Sequence, residues 1–555
     1  MNLPSPAIVS ERHAQRLPRL ALLLFCAAYV LPGLFGRDPW RNADLTAFGF
    51  MASIAQGHAP WWQPAIAGIP ADGGLLSYWV GALAIKLLPF LDPAQAARLP
   101  FGLALAAVLV LVWYSSFYLA RTEAAQPVPF AFGGEAPAID YARALADGAL
   151  LALMACLGLL QLGHETTPEL MQLLAIALFG YGLAAAPFRI GRARVALLVA
   201  LPMLSAAGAP AVALALGLIG ALLCWRSSYA QVRRLIAWLL VATALGLAFA
   251  WAFKAWAWRV AIGAHADEPL RMLQLLAWFC WPAWPLALWT LWRWRQHWAH
   301  RHVSVPLLGV LVPLVTSALM NASDRALLLA LPSLAVLASF ALPTLKRGVA
   351  AAMDWFSVFF FSLGALFIWL YYASMHAGWP AAPLSNVRKL AFGYEPRFQM
   401  LPLLLALVGT LAWLWLVRWR TARHQHALWK SLVLPAGGVA LAWLLTMTLW
   451  LPVLDYARSN TPFVTQLRAQ LPSSFDCLAA PRQSLPLLAA LEFQGGWRID
   501  AVHALEQTSC DCALLQAEQS AKPVAPSGWT VSGTVRRPTD RQQHYLLLQR
   551  AKAAP

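Results

Sequence analysis

Two polar stretches between long apolar runs hold the side chains that could do chemistry. The longer stretch is residues 37–97, and its first part, up to about Leu75, contains three acids and a histidine: Asp38, Asp44, Asp72 and His58. The shorter stretch, residues 163–169, contains His164, Glu165 and Glu169. A carboxylate in such a place can act as a general base on an acceptor hydroxyl or amine, or it can hold a divalent cation beside a phosphate.

Each of these acids also has a purely structural interpretation. Glu169 follows Pro168 and would suit the first turn of a helix, where the helix dipole favours a negative charge. Asp72 lies in an Asp-Gly-Gly turn, and Asp38 precedes a proline, which is also typical of turns. His164 at a helix end is more often structural. We take Asp44, Asp72 and Glu169 as the catalytic candidates, and for Glu169 both interpretations stay open.

The apolar runs that position these stretches identify an integral membrane protein. Of the 555 residues, 60% are hydrophobic and only 12% are charged, whereas soluble domains carry about 25% charged residues. The runs are about 17–25 residues long, which matches the thickness of a bilayer. They predict thirteen spans, at about 20–36, 98–120, 144–162, 169–187, 193–207, 209–225, 235–252, 272–292, 304–320, 325–343, 352–374, 399–417 and 431–451.

The positive charge sets the orientation of the chain. The net charge of +17 lies in short clusters between the runs, which is typical of the cytoplasmic loops of membrane proteins and not of nucleic-acid binding. Placing the N-terminus in the cytoplasm puts most arginine clusters inside and most loop acids outside. This holds only if residues 75–91 form a re-entrant or interfacial helix, and Lys86 within that stretch agrees. The helix predicted over Ala43–Gln56 would lie on the membrane surface.

We expect residues 1–454 to form the membrane domain and residues 455–555 a small α/β domain in the periplasm. Short strands are predicted at Cys477–Ala480, Ala513–Leu515 and Tyr545–Leu548, and a helix at Leu485–Leu491. In an oxidising compartment Cys477 would pair with Cys510 or Cys512, and three free thiols are the alternative.

An ordered set of short motifs over residues 20–345 resembles the polyprenyl-phosphate-sugar-dependent glycosyltransferases of the GT-C fold, such as lipid A aminoarabinose transferases and protein O-mannosyltransferases. The motifs lie in the first outer loop, the second outer loop and later spans: Gly57, Trp61, Trp62, Pro64, Gly68, Tyr78, Trp79, Lys86, Ala97-Arg98-Leu99-Pro100, Glu169, Trp281-Pro282-Ala283-Trp284-Pro285, Arg325 and Leu331-Pro332-Ser333-Leu334.

The resemblance implies an all-α polytopic enzyme that uses a lipid-linked sugar phosphate in the outer leaflet. An acid of the first loop, Asp44 here, would take the proton of the acceptor, and attack would invert the anomeric carbon. The acceptor would be lipid A, a glycan or a protein of the cell envelope. Outer-face cations or a divalent metal, Mg²⁺ or Mn²⁺, would offset the charge of the departing polyprenyl phosphate.

The resemblance assigns provisional roles to further residues. Substrate binding is predicted for His164, Glu165, Trp62, Tyr78, Lys254, Arg259 and Arg325, and metal binding for Asp44 and Glu169. The chain departs from the family where it has Ala43-Asp44, Gly73-Gly74 and Ala207-Gly208. A non-catalytic or divergent protein of envelope assembly therefore stays an alternative, and a lipid or solute transporter is a further one.

Overall fold

The structure is a computed structural model that describes residues 5–40, 42–253, 268–421, 427–517, 526–537, 539 and 543–551. About 67% of it is helical. The helices are α1 (Arg19–Val30), α2 (Ala43–Gln56), α3 (Leu75–Leu87), α4 (Pro93–Ala120), α5 (Ala138–Ala155), α6 (Leu157–Leu162), α7 (Pro168–Ala185), α8 (Ile190–Ala206), α9 (Pro210–Trp225), α10 (Ala230–Arg233), α11 (Leu235–Ala252), α12 (Glu268–Phe279), α13 (Ala283–Arg293), α14 (Arg301–Leu319), α15 (Asp324–Leu328), α16 (Leu331–Ser339), α17 (Arg347–Ala377), α18 (Ala381–Leu390), α19 (Met400–Thr421), α20 (Lys430–Leu449), α21 (Leu451–Arg458), α22 (Thr461–Gln470) and α23 (Leu485–Phe493).

The strands are short and most of them lie near the C-terminus. They are β1 (Ala65–Ile66), β2 (Ile69–Pro70), β3 (Leu478–Ala479), β4 (Ile499–Asp500), β5 (Cys512–Ala517), β6 (Trp529–Arg536) and β7 (His544–Arg550).

Seven helices of the described chain are long and apolar enough to cross a membrane, which agrees with the expected multi-pass membrane protein. They are Pro93–Ala120, Pro168–Ala185, Ala230–Ala252, Arg301–Leu319, Arg347–Ala377, Met400–Thr421 and Lys430–Leu449. The expected number of thirteen spans is not confirmed. Several expected spans are divided: 144–162 becomes α5 and α6, and 272–292 becomes α12 and α13, with Pro282 immediately before α13.

The chain divides into two compact units. The first contains residues 1–32, 101–367 and 401–448, and the second contains residues 33–100, 368–400 and 449–555. The second unit therefore joins the first polar stretch to the C-terminal region. The predicted domain boundary between residues 454 and 455 does not coincide with this division and stays a prediction.

The core of the first unit consists of tightly packed apolar helices. Nearly all of α5 and α16 is buried, and Gly148 of α5 leaves no room for a side chain because Leu342 would lie 2.4 Å from its Cβ. Asp147 is the buried acid of α5, and it accepts hydrogen bonds from the main chain of Leu17 and from the indole of Trp113, each at 2.8 Å. These bonds satisfy the carboxylate and hold the N-terminal segment against the helix.

The second unit contains a small sheet domain at the C-terminus. Its five strands have the order β4-β3-β5-β7-β6, with β3 parallel to β4 and β5 and the other pairs antiparallel. The three segments predicted as strands lie in β3, β5 and β7, and the predicted helix coincides with α23. The expectation of a small domain with strands and helices in this region is confirmed.

The helix α2 forms where it was predicted and is largely covered by protein, while its predicted position on the membrane surface stays a prediction. Most of its residues are buried, and it packs against both α3 and α23 within the second unit. Phe48 meets Phe493 edge to face at 4.6 Å, an arrangement worth about 0.5–1.5 kcal/mol beyond area burial. A Cβ at Gly49 would lie 2.6 Å from the Cβ of Ala489, so glycine permits this close approach of two helices.

Candidate functional site

Within the first unit, three charged residues form what we call the Glu–Arg cluster: Glu165, Glu169 and Arg325. Nη2 of Arg325 donates to Oε2 of Glu165 at 2.6 Å, and Nη1 donates to Oε2 of Glu169 at 3.3 Å. Nη1 also lies 3.4 Å from Oγ1 of Thr167. One guanidinium therefore bridges two carboxylates, and such charge-assisted hydrogen bonds are stronger than neutral ones.

Helix ends place these three side chains. Pro168 is the first residue of α7 and Glu169 lies in its first turn, as the capping interpretation predicts. Arg325 lies in α15, where Oγ of Ser323 caps the helix by accepting from the main chain of Ala326 at 3.3 Å. Glu169 thus combines a favourable helix position with an ion pair, and the two interpretations of this residue are compatible.

His164 lies beside the Glu–Arg cluster in sequence but is engaged in packing. Its side chain is buried, with Nδ1 2.6 Å from the carbonyl of Leu160 and Nε2 2.9 Å from the carbonyl of Tyr29. Its ring packs on Trp443 at 4.6 Å. The geometry favours a role in joining α1, the second polar stretch and α20, and the predicted role in substrate binding stays a prediction.

Within the second unit, Asp44 belongs to a separate network that we call the loop cluster: Arg37, Asp38, Trp40, Asp44 and Asp455. Asp44 is only 2% exposed. Its Oδ2 lies 3.4 Å from Nη2 of Arg37 and accepts from the main chain of Trp40 at 3.2 Å. The side chain of Arg37 is itself buried, so the pair is an ion pair within the protein interior.

Asp38 and Asp455 connect this network to the region after the last span. Oδ1 of Asp455 accepts from the main chain of Asp38 at 2.9 Å and from Nε1 of Trp40 at 3.0 Å. Oδ2 of Asp38 accepts from the hydroxyls of Ser459 at 2.7 Å and Thr461 at 2.6 Å. Burial raises the pKa of Asp455 to about 6, and the charge of Asp38 adds to this rise.

Two more arginines lie in the loop cluster's surroundings. Arg98, which is fully buried on α4, donates to the main-chain carbonyl of Arg37. Arg458 lies over the face of Trp40, with its guanidinium carbon 4.8 Å from the ring centroid. Sequence reasoning quoted Arg98 only as part of a motif and missed both Arg37 and Asp455. The available signal for Asp455 was that it is the first acid after the last span.

The remaining predicted residues of the first polar stretch are distributed along it. Asp72 is exposed in the turn that precedes α3, and Tyr78 is buried against Phe50 at 5.0 Å between ring centroids. Trp62 is 69% exposed. Lys86 places its ammonium 5.3 Å from the ring centroid of Trp61, a cation–π contact. Their predicted roles stay predictions.

Two predicted phosphate-binding cations, Lys254 and Arg259, lie outside the residues that the structure describes. Of the predicted phosphate-binding cations, Arg325 of the Glu–Arg cluster is the one that lies within the described residues. In each cluster an arginine already faces the predicted carboxylates.

The predicted metal ligands do not form a metal-binding set in this arrangement. Over the described residues, no group of three or more His, Cys, Asp or Glu side chains is arranged to hold a metal ion. Oδ2 of Asp44 lies 3.4 Å from Nη2 of Arg37 and Oε2 of Glu169 lies 3.3 Å from Nη1 of Arg325, so each carboxylate has a guanidinium partner. We derive no step through a metal, and metal dependence stays a prediction.

A disulfide joins Cys477 and Cys510 in the C-terminal domain, with Cα atoms 4.9 Å apart. Cys512 is a free, buried cysteine. Of the two pairings that the sequence left open, the structure has the first. The bond links the segment before β3 to the segment before β5 and so closes the start of the sheet.

Comparison with solved structures identifies the fold. ArnT from Cupriavidus metallidurans bound to undecaprenyl phosphate matches with a TM-score of 0.58 and 12% identity, over 95% of this chain and 96% of that chain. The apo state of the same protein matches with a TM-score of 0.59 and 12% identity, over 95% and 98%. An oligosaccharyltransferase from Archaeoglobus fulgidus gives a TM-score of 0.32 at 14% identity, over 87% and 63%, a score from which no shared fold is inferred.

No family model and no curated protein sequence matches the chain. The likeness to ArnT nevertheless extends over nearly the whole length of both chains. The protein therefore has a GT-C-like membrane glycosyltransferase fold, as the ordered motifs of the sequence predicted.

Proposed function

We propose that this protein is a membrane glycosyltransferase that moves a sugar from a polyprenyl-phosphate donor to an acceptor of the cell envelope: lipid A, a glycan or a protein. The observation that carries the proposal is the match of 95% of the chain to ArnT, in a structure bound to undecaprenyl phosphate. A fold alone hosts more than one chemistry, so the site must supply the rest of the argument.

The loop cluster supplies a carboxylate of defined orientation. Arg37 and the main-chain N–H of Trp40 both hold Oδ2 of Asp44. In the proposed mechanism Asp44 takes the proton of the acceptor hydroxyl or amine while that oxygen or nitrogen attacks the anomeric carbon. The bond from the anomeric carbon to the phosphate oxygen breaks, the carbon inverts, and polyprenyl phosphate leaves with the bonding electron pair.

The departing phosphate carries a negative charge that the protein must offset. The proposal assigns this to outer-face cations, with Arg325 as the candidate that the structure describes. Because Arg325 bridges Glu165 and Glu169, a phosphate that binds it would compete with those carboxylates. Such a competition would couple donor binding to the position of α15.

The proposed location is a bacterial inner membrane, with the N-terminus in the cytoplasm and the C-terminal domain in the periplasm. The distribution of arginine clusters and loop acids supports this orientation. A phosphatase reporter fused after Arg550 should be active, because this reporter folds only in the periplasm. An inactive fusion of normal abundance would contradict the orientation.

The function is tested by mass spectrometry of lipid A and surface glycans from cells with the gene, without it, and with variants restored. We expect the wild type to add one sugar mass that the deletion lacks. Asp44→Asn should reduce this product by about a hundredfold or more, because a general base contributes about 10²–10⁴ in rate. Asp140→Asn is the matched control, since Asp140 is a partly exposed acid that is paired with Arg143 and belongs to neither cluster.

The outcomes separate the alternatives. Full product from Asp44→Asn at wild-type abundance would remove the assignment of the base and leave the transferase. No mass difference between wild type and deletion, for any lipid, glycan or protein of the envelope, would instead favour a non-catalytic protein of envelope assembly.

A further inference from the structure

The loop that carries Asp44 is attached to the C-terminal region at two points that lie far apart along the chain. The first attachment is Asp455, which lies 417 residues after Asp38. The second is Glu492 of α23, which contacts the β1–β2 hairpin. Both attachments lie within the second unit.

At the first attachment, one carboxylate oxygen organises the beginning of the loop. Oδ1 of Asp455 accepts from the main chain of Asp38 and from the indole of Trp40. The indole is almost fully buried and is held between two guanidinium groups, those of Arg37 at 4.6 Å and Arg458 at 4.8 Å. Asp455 therefore sets both the main chain before Trp40 and the side chain of Trp40.

One further hydrogen bond connects Trp40 to Asp44. The main-chain N–H of Trp40 donates to Oδ2 of Asp44 at 3.2 Å, and the carbonyl of Trp40 accepts from the main chain of Leu45 at 2.9 Å. The residue that Asp455 fixes is thus the residue that orients the Asp44 carboxylate at the start of α2. No direct contact between Asp455 and Asp44 is needed.

At the second attachment, Glu492 holds the β1–β2 hairpin that follows α2. Its Oε2 accepts from the main chain of Ala67 at 3.2 Å, and its Oε1 lies 3.6 Å from Nδ1 of His58. Ala67 has a φ of +50°, which is unfavourable for a residue with a side chain. The hydrogen bond that Ala67 donates to Glu492 stabilises this turn, which follows the C-terminal end of α2, whereas Asp44 lies in its first turn.

We propose that Asp455 is a positioning residue for the carboxylate of Asp44, and that Glu492 holds the β1–β2 hairpin of the same polar stretch. The C-terminal region then acts as a support for the loop and not as a separate appendage. The catalytic meaning of this support rests on the proposed function, but the positioning itself does not.

The hydrogen-bonding character of the attachment gives a sharp test. Both groups that contact Oδ1 of Asp455 are N–H donors, and an amide oxygen accepts from them as a carboxylate oxygen does. Asp455→Asn should therefore preserve the loop, and Asp455→Ala should release it. The same contrast applies to Glu492→Gln and Glu492→Ala. Asp476→Ala is the control, because Asp476 lies in the same region, is mostly exposed, and its carboxylate has only a 3.9 Å contact with Arg498.

Hydrogen exchange with mass spectrometry on the full-length protein in nanodiscs measures the loop directly. We expect Asp455→Ala to raise exchange of amides 38–46 at least fivefold, while Asp455→Asn and Asp476→Ala stay within twofold of wild type. Glu492→Ala should raise exchange at residues 65–70 and leave 38–46 unchanged. Unchanged exchange at 38–46 in Asp455→Ala would overturn the proposal, as would equal effects of Asn and Ala at position 455.

The product assay then separates this inference from the proposed function. If Asp455→Ala loses product while Asp455→Asn keeps it, both stand. If exchange responds as expected but even the wild type makes no product, the positioning stands and the proposed function fails. If Asp44→Asn is inactive while Asp455→Ala neither exchanges faster nor loses product, the proposed function stands and the positioning fails.

Discussion

The Glu–Arg cluster allows a quantitative prediction for Arg325→Met. This change removes the guanidinium but keeps an unbranched apolar stem, and it leaves the Glu165 carboxylate, whose side chain is 8% exposed, without its cation. Removing one partner of a fully buried ion pair costs about 3–5 kcal/mol. The Arg325 side chain is 26% exposed, so solvent screening lowers the expected loss in the free energy of unfolding to about 2–3 kcal/mol.

A matched pair and a second substitution make this prediction refutable. Arg143 and Asp140 are 3.3 Å apart, the same distance as Arg325 and Glu169, but both of their side chains are more than a third exposed. Arg143→Met should therefore cost less than about 1 kcal/mol. Adding Glu165→Gln to Arg325→Met removes the uncompensated charge and should restore about 1–2 kcal/mol of the loss.

Unfolding in mixed micelles with increasing dodecyl sulfate, followed by circular dichroism, measures the apparent free energy of unfolding of each variant. Equal losses for Arg325→Met and Arg143→Met would refute the reasoning, because burial would then make no difference. No recovery on adding Glu165→Gln would show that the lost stability came from packing of the arginine stem.

Three further outcomes are expected. Gly49→Leu should destabilise the docking of α2 by about 1–3 kcal/mol, because the new Cβ would lie 2.6 Å from the Cβ of Ala489. Faster proteolysis after α2 would show this loss, and Gly180→Ala is the control because its Cβ would meet open space. Replacing Cys477 and Cys510 by serine should cost the C-terminal domain about 3–4 kcal/mol, from the 33-residue separation that the bond closes, and an unchanged protease resistance of that domain would contradict this. Burial raises the pKa of Asp455 from 3.8 to about 6, so the folded state binds this proton more tightly than the unfolded state. The wild type should therefore gain stability relative to Asp455→Asn as pH falls from about 7 to 4. A constant difference in stability between the two proteins over that range would argue against the raised pKa.

Local patterns predicted much of this fold. The strands and the helix of the C-terminal domain follow from short apolar segments between polar ones, and α2 follows from its apolar spacing. The spacing of apolar residues does not reveal what covers the apolar face of a helix, since lipid and protein can both cover it. For this reason the spacing did not reveal that α3 and α23 cover α2.

Contacts between distant parts of the chain were the hardest to predict. The partnership of Glu165 and Glu169 with Arg325 joins segments about 160 residues apart, and that of Asp38 with Asp455 joins segments 417 residues apart. Single acids such as Asp455 carry no local signature of such a role. The count of thirteen spans is not confirmed, and the division of some expected spans has a different cause. An apolar run records hydrophobicity, but a proline such as Pro282 can divide one run into two helices.

The composition of the second unit has a consequence for biosynthesis. Residues 33–100 leave the ribosome before the partners that hold them, Asp455 and Glu492, which are made only after the intervening residues 101–448. At about 5–20 residues per second this delay is roughly 20–70 s. During that time the nascent loop lacks its final neighbours, so chains that stall or are truncated before residue 449 should leave it open to proteases and holdase chaperones.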